Sequence, residues 1–302
     1  MAMVRRSGLH RIGFVLLFVT AAVTMQAAEG EITVEELISR HIESIGPSEA
    51  RQQIQTRRYV GQGVWRMVLG GVGQMAGPVS FASTPDSCDF SFGGAGSQQF
   101  TGERFRYDGK DADVKPSFQE QYSVLGQFMR RNRNILGEGL FGGTANLSWA
   151  LLDTAGRKAR MKYVGLKDVE GRQLHVLDYR PRKRKGETTI ELYFDPETYR
   201  HVRTEYRERF TGDIGPGRDP SLSRPPGSPS DPAITMQEES HVSFVETFDQ
   251  FHPADGVLVP VLWTLKLDVY KEGRGSGSAN SSVIEVSFQS VEQNGPLGDA
   301  AE

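Results

Sequence analysis

Apolar and polar residues alternate with a period of two along most of the chain after residue 57. Residues 58–69 place Tyr59, Trp65 and Met67 on one face, and residues 261–269 place five apolar side chains on one face, with Trp263 among them. This alternation is typical of antiparallel strands that bury one face and wet the other. We therefore expect a mainly β (α+β) protein with about ten or eleven strands, separated by Gly, Pro, Asn and Asp turns.

The segment before these strands has helical spacing. Thr33-Val34-Glu35-Glu36 fits a capping box, and apolar residues then recur at a helical period up to Ile45, where Gly46 marks the end of the helix. Pro47 opens a second short helix, predicted to run to Ile54.

The block from Ser117 to Asp153 interrupts the β pattern. Phe118, Tyr122, Leu125 and Phe128 fit a helix, and further short apolar pieces follow around Gly142-Gly143. The block is rich in large apolar side chains, which indicates that it packs against the sheet rather than extending it.

Two connections are unlike the rest. Residues 211–233 hold six of the fifteen prolines together with many Gly, Ser and Asp residues, and we expect a mobile loop there. Residues 273–282 (GRGSGSANSS) are typical of a flexible hairpin tip. Neither connection divides the chain convincingly, so we expect one domain over residues 28–302.

The first 27 residues have the layout of a secretory signal peptide. Arg5, Arg6 and Arg11 precede the apolar run IGFVLLFVTAAVTM (12–25), and the small residues Ala27 and Ala28 follow it. This run is shorter than the roughly 20 residues that a membrane-spanning helix needs, which favours a cleaved signal over an anchor. The sequence thus predicts export.

Charge and cysteine content narrow the class of partner. The formal charge is −3, and without residues 1–27, which carry three arginines and no acid, it becomes −6. A mildly acidic protein is a poor electrostatic match for nucleic acid, so we expect no nucleic-acid partner. Cys88 is the only cysteine, which excludes an internal disulfide and is interpreted as a small apolar strand residue.

No motif for catalysis, a cofactor or a metal is evident. The chain has no G-x-S-x-G, Walker A loop or G-x-G-x-x-G turn, and its six histidines show no H-x-H or H-E-x-x-H pairing. Asp108, Asp111 and Asp113 are interpreted as a hairpin turn, because Lys110 stands where a calcium loop needs an oxygen ligand. We therefore expect no enzyme, no cofactor and no metal.

One charge run has two interpretations. Arg180-Pro181-Arg182-Lys183-Arg184-Lys185-Gly186 is typical of an exposed hairpin tip. It also suits a transient contact with anionic lipid headgroups, where each charge contributes about 1 kcal/mol.

Two family resemblances follow from these segments. Gly63-Val64-Trp65, on the first strand after a short helix, is similar to the first lipocalin motif, but the chain is longer than a lipocalin and its central helical block is foreign to that barrel. The overall order of segments resembles the bacterial outer-membrane lipoprotein carrier superfamily with the LolA/LolB-like fold. The segments that carry this resemblance are TVEELISRHIESIG, RRYVGQGVWRMVL, ERFRYDGKDADV, ELYFDPETYRHVRTEY and DGVLVPVLWTLKL.

This second resemblance implies a curved antiparallel half-barrel whose concave side is covered by helices and receives acyl chains in a periplasmic protein. The N-terminal helix and the block 117–152 would be the covers. No position matches the carrier's functional arginine, so the resemblance does not specify lipoprotein as cargo. The candidate cavity residues are Tyr59, Trp65, Met67, Phe90, Phe92, Phe128, Met129, Phe141, Trp149 and Trp263.

Three functions follow for comparison with the structure. The first is a periplasmic lipid- or lipoprotein-binding and transfer protein, since an acyl chain left in water costs on the order of 10 kcal/mol. The second is an exported module that binds an envelope protein and fills its concave face with its own side chains. The third, a hydrolase, would need a nucleophile, a base and an acid that converge in the cavity. Cavity volume separates the first two, because ligand pockets measure about 300–1,000 Å³.

Overall fold

The structure of the protein is a computed structural model that describes residues 32–93, 102–116, 122–182, 188–211, 239–272 and 278–297. The predicted signal peptide (1–27), nearly all of the Pro-rich segment 211–233, and parts of the segments 180–186 and 273–282 lie outside these residues. All described residues belong to one compact unit. Among them, every helix is too short or too polar to span a membrane.

Twelve strands of the described chain form one antiparallel sheet, in the order β5-β4-β3-β2-β1-β12-β11-β10-β9-β8-β7-β6. The mainly β, antiparallel prediction is therefore confirmed. The strands are β1 Arg57–Leu69, β2 Gln74–Ser83, β3 Cys88–Gly93, β4 Gly102–Tyr107, β5 Ala112–Pro116, β6 Arg160–Val169, β7 Arg172–Arg180, β8 Thr189–Phe194, β9 His201–Thr211, β10 Glu239–Ala254, β11 Val257–Glu272 and β12 Ser278–Gln293.

In the described ranges five short α-helices accompany the sheet, together with two 3₁₀ turns at Gly143–Ala145 and Ala150–Asp153. The helices are α1 Val34–Ile45, α2 Ser48–Gln53, α3 Val124–Arg131, α4 Asn134–Gly137 and α5 Thr154–Arg157. The predicted cap of α1 is confirmed, because the Thr33 side chain accepts a hydrogen bond from the Glu36 N–H at 3.1 Å. The sequence pattern had not separated β5 from its turn, since this edge strand is short and ends at a proline.

Strong curvature of the sheet follows from two distances. Phe90 on β3 and Trp263 on β11 lie four strands apart, about 19 Å in a flat sheet, yet their ring centroids are 5.3 Å apart. Helix α3, about 12 Å long, reaches from β4 to β9, which a flat sheet would separate by about 34 Å. The curved, half-barrel part of the fold prediction is therefore confirmed, and we call the space on the concave face the trough.

The two ends of the trough differ in their connections. At one end, which we call the turn end, tight turns such as 170–171 and 255–256 join the strands in pairs. At the other, which we call the loop end, β9 stops at Thr211 and β10 starts at Glu239, and the short tip 70–73 joins β1 to β2. The antiparallel register fixes this division, because every second connection must lie at the same end.

Candidate ligand-binding cavity

Helix α3 crosses the trough near the loop end, and a buried carboxyl group on β4 holds its first turn. The Ser123 N–H and Oγ–H both donate to the Glu103 carboxyl, the latter at 2.6 Å, and the Gly126 N–H donates to Ser123 Oγ at 3.0 Å. Burial of Glu103 raises its pKa to about 7. A Cβ at Gly126 would lie 2.2 Å from Glu103 Oε1, so glycine there allows the carboxyl group to reach the helix.

The other end of α3 is held on β9. The Asn132 amide nitrogen donates to Glu208 Oε2 at 2.8 Å, and the Thr188 hydroxyl donates to Asn132 Oδ1 at 2.7 Å. Between these anchors Phe128 packs on Phe244, with ring centroids 5.4 Å apart. The helix is therefore a bar across the concave face, fixed to both sides of the curved sheet.

A cavity of about 660 Å³ lies between α3 and the sheet at the loop end. Its walls are mainly apolar, and its polar side chains are Gln74, Glu103, Ser123, Asn280 and Ser282. The apolar lining residues, which come from seven strands, α3 and the adjoining segments, are Trp65, Met67, Val72, Met75, Phe90, Phe92, Phe105, Tyr122, Val124, Leu125, Phe244, Leu265, Leu267 and Ile284.

The turn end of the trough is filled by the chain itself. Phe141, which belongs to the irregular segment after α4, lies 4.9 Å from Trp263 and 5.4 Å from Phe90 between ring centroids, and all three side chains are buried. We call the segment Gly139–Asn146 the plug. It occupies the volume that would otherwise continue the cavity toward the tight turns.

A second buried carboxyl group fixes the plug. The Gly142 N–H donates to Glu246 Oε1 and the Tyr206 hydroxyl donates to Glu246 Oε2, both at 2.8 Å. Burial raises the pKa of Glu246 to about 8. Gly142 has φ +84°, and a Cβ there would lie 2.7 Å from the Phe81 ring, so only glycine permits this close approach.

Helix α1 docks at the turn end through a buried histidine. The Trp149 indole N–H donates to His41 Nε2 at 3.0 Å, while His41 Nδ1 lies 3.0 Å from the Tyr199 carbonyl oxygen. These two partners require a neutral ring with its proton on Nδ1. Burial accordingly lowers the pKa of His41 to about 4, and it also lowers that of His201, whose ring centroid is 6.2 Å away.

The structure divides the ten candidate cavity residues into two groups. Trp65, Met67, Phe90 and Phe92 line the cavity. The other six are buried in packed parts of the trough and do not line it: Tyr59, Phe128, Met129, Phe141, Trp149 and Trp263. Ligand binding by any of these side chains stays a prediction.

The prediction missed the buried carboxyl groups of Glu103 and Glu246, although the sequence carries a signal for each. Glu103 lies two residues before Phe105, and Glu246 lies between Phe244 and Phe248, so each occupies an inward position of an alternating strand. A charged residue at such a position is rarely buried without partners, which makes it a marker for a buried polar contact.

The cavity lining carries few ionisable side chains. The described lining residues include one carboxyl group and no His, Lys, Arg or Cys side chain. Cys88 is buried elsewhere in the core, where burial raises its thiol pKa to about 12. Within the described ranges no three His, Cys, Asp or Glu side chains converge on a metal-sized site, and Asp108 Oδ1 accepts from the Lys110 and Asp111 N–H groups of its own turn.

Comparison with known proteins adds distant structural likenesses. No protein-family model and no curated protein matches the chain by sequence. A domain from Vibrio parahaemolyticus, provisionally named an outer membrane lipoprotein-sorting protein, is similar at 10% identity and a TM-score of 0.35, covering 87% of this chain and 94% of that one.

MucB structures are similar as well. MucB in complex with MucA(peri) has 13% identity and a TM-score of 0.21, over 87% of this chain and 99% of that one. The Pseudomonas aeruginosa MucA/MucB complex has 10% identity and a TM-score of 0.23, over 86% and 99%. The lipoprotein-sorting domain belongs to the kind of protein that the sequence resembles, but likenesses this distant carry no argument about function.

Proposed function

We propose that this chain is an exported, non-enzymatic envelope protein that binds the acyl chain of a lipid or lipoprotein in the cavity at the loop end. The observation that supports the proposal is the cavity itself. Its volume of about 660 Å³ lies within the range of about 300–1,000 Å³ that is usual for ligand pockets. A fully self-filled trough would have favoured the envelope protein-interaction module instead.

The character of the walls supports an apolar ligand body. Large aromatic and aliphatic side chains surround the space, and each methylene group buried there contributes about 0.8 kcal/mol. Glu103 has a pKa of about 7 and is only partly ionised near neutral pH, and its ionised form disfavours an anionic headgroup deep in the cavity because like charges in an apolar site repel strongly. The chain end of an amphiphile therefore enters first.

The polar headgroup then stays near the loop end. Asn280 and Ser282 stand on β12 close to where this strand begins, and both line the cavity. Their amide and hydroxyl groups can hydrogen-bond to an ester or a hydroxyl group of the ligand. The lipid class and the donor and acceptor membranes are left open by these contacts.

A hydrolytic role has less support. Among the lining residues the Ser123 hydroxyl contacts an acid, but its proton is donated to Glu103 and no described lining residue is a histidine. A nucleophile, a base and an oxyanion site that converge on one point are therefore not found among the lining side chains.

A matched pair of variants on β12 tests the proposal. Ser282 lines the cavity opposite Met67 and Leu267, whereas Ser287 is exposed on the outer face of the same strand. Ser282→Phe fills space that an acyl chain would occupy, and we expect it to weaken binding of a dansyl-labelled fatty acid about tenfold, the equivalent of about two buried methylene groups. Ser287→Phe should bind like the unchanged protein.

Energy transfer from Trp65, which lines the cavity, to the dansyl group provides the readout, and mass spectrometry of lipid co-isolated from membranes provides a second one. If the unchanged protein binds no fatty acid and carries no acyl species, the proposed function is wrong. Equal binding by Ser282→Phe would place the ligand outside this cavity.

A further inference from the structure

The hairpin tip between β1 and β2, residues Val68–Gly73, exposes aliphatic side chains. Val68 is 60% exposed, Leu69 54% and Val72 fully exposed, so three of the seven exposed large hydrophobic residues of the described chain lie on this one tip. The Met67 N–H donates to the Gly73 carbonyl oxygen at 2.9 Å, which closes the hairpin. The tip is thus a formed structural element that presents apolar surface to the outside.

This apolar surface continues into the cavity. Val72 and Gly73 line the cavity mouth, and Met67 and Trp65 carry the same strand face inward. An apolar path along the tip therefore joins the outside of the protein to the interior of the trough.

The tip is also free of charge. Residues 67–78 (MVLGGVGQMAGP) contain no Lys, Arg, Asp or Glu, and the preceding Arg66 forms an ion pair with Glu285. The exposed aliphatic residues on β6, Val164 and Leu166, differ because charged residues stand within two positions on either side of them. An uncharged aliphatic tip can enter the boundary between headgroups and acyl chains without moving a charge out of water.

We propose that the hairpin tip Val68–Gly73 docks into the surface of a lipid bilayer and holds the cavity mouth at the level of the acyl chains. This inference rests on the proposed function, because an acyl chain that crosses a water-filled gap loses its apolar surroundings on the way. The apolar surface of the tip continues into the cavity, which favours a lipid bilayer as the partner of the tip. An acyl chain can then pass from the bilayer to the cavity in contact with apolar surface throughout.

The experiment compares two double variants of matched chemistry. Val68→Ser with Leu69→Ser removes two exposed aliphatic side chains of the tip that do not line the cavity, and Val164→Ser with Leu166→Ser removes two comparably exposed aliphatic side chains from the sheet edge. Flotation with vesicles of phosphatidylethanolamine and phosphatidylglycerol measures docking, and the dansyl-labelled fatty acid in vesicle-free buffer measures the cavity. We expect the tip variant to lose about tenfold or more in vesicle partitioning, and the edge variant to partition like the unchanged protein.

Each other outcome counts against docking. No flotation of the unchanged protein, or equal flotation of the tip variant, overturns the inference and points to a protein partner for the tip. A tip variant that loses fatty-acid binding in buffer shows that the tip belongs to the ligand site rather than to a membrane contact. Failure of fatty-acid binding by the unchanged protein refutes the proposed function itself, so the two failures are distinguishable.

Discussion

The same sheet forms the walls of the trough at the turn end and at the loop end, yet the concave space is filled at the first and open at the second. At the turn end the Phe141 ring lies 4.9 Å from Trp263 and closes the space. At the loop end the walls, including Trp65 and Phe92, surround about 660 Å³. An aromatic concave face alone therefore does not make a binding site, because whether it is open depends on what folds back onto it.

The carboxyl groups on the concave face show how each end is held. Glu246 binds the plug through the Gly142 N–H, while Glu103 binds the start of α3 through Ser123. Both carboxyl groups have raised pKa values, about 8 and about 7, because both are buried. The plug fills the trough with an aromatic ring, whereas α3 crosses it and leaves space beneath.

The largest effect that we expect is a loss of stability when an aromatic side chain at the filled turn end is removed. Comparison with an aromatic side chain at the open loop end tests the difference between the two ends. Phe141→Ala should lower the free energy of unfolding by about 3–5 kcal/mol, because the ring touches aromatic neighbours on all sides. Phe92→Ala should cost less, since that ring already borders the cavity. Urea unfolding of both variants measures the difference, and equal losses would contradict the distinction between the two ends.

The next largest effect is a loss of stability at acidic pH. His41 has a pKa of about 4, below its ordinary value near 6.5, so the unfolded chain binds the proton more readily. The free energy of unfolding should therefore fall as pH drops from about 6.5 to about 4, by about 3 kcal/mol. His41→Gln should remove this contribution and leave that of His201, whose pKa burial also lowers, whereas the exposed His252→Gln should retain both contributions.

Glu246 complicates the raw pH profile, because its raised pKa stabilises the folded state toward acid. Subtracting the profile of His41→Gln from that of the unchanged protein isolates the histidine contribution. If the difference does not change between pH 6.5 and pH 4, His41 is not held neutral at the turn end.

A smaller effect distinguishes the loop end. Glu103 has a pKa of about 7 in the folded protein, raised from its ordinary value by burial. When α3 opens and water reaches the carboxyl group, it ionises at a lower pH, so ionisation favours the open state. Opening of α3 should become easier as pH rises from about 4.5 to 7, by about 1–2 kcal/mol because local opening rehydrates the group only in part. Hydrogen exchange of the α3 amides, corrected for intrinsic rates, measures this.

Glu103→Gln should make α3 protection independent of pH in this range, and the exposed Glu285→Gln should behave like the unchanged protein. Protection of α3 that does not vary with pH in the unchanged protein would show that Glu103 stays bonded in both states. The loop end would then be as rigid as the turn end.

Most of the sheet could be predicted from the sequence because burial on one face imposes a period of two. Trp263, Leu265 and Leu267 on β11 show this directly, and Thr33 with Glu36 marked the start of α1 by local hydrogen bonding alone. These signals are local, so they survive without knowledge of the tertiary structure.

The division of the concave face could not be predicted in the same way. Phe90 and Phe141 look alike in sequence, but Phe141 lies on a segment that folds back through Gly142 at φ +84°. The path of that segment depends on Glu246, which is 104 residues away along the chain. Contacts at this sequence distance leave no periodic trace, so pattern analysis finds apolar residues without telling filled space from open space.

The smallest effect concerns the rim of the loop end. Leu69 is 54% exposed on the hairpin tip, so Leu69→Ser should change the free energy of unfolding by no more than about 0.5 kcal/mol, as expected for a surface position. Val164→Ser, at 43% exposure on β6, provides a matched control that should behave alike. A loss well above about 1 kcal/mol for Leu69→Ser alone would show that the tip packs against the rest of the chain. The loop end would then be closed by its own residues, as the turn end is, and its apolar rim would have no surface left for a lipid.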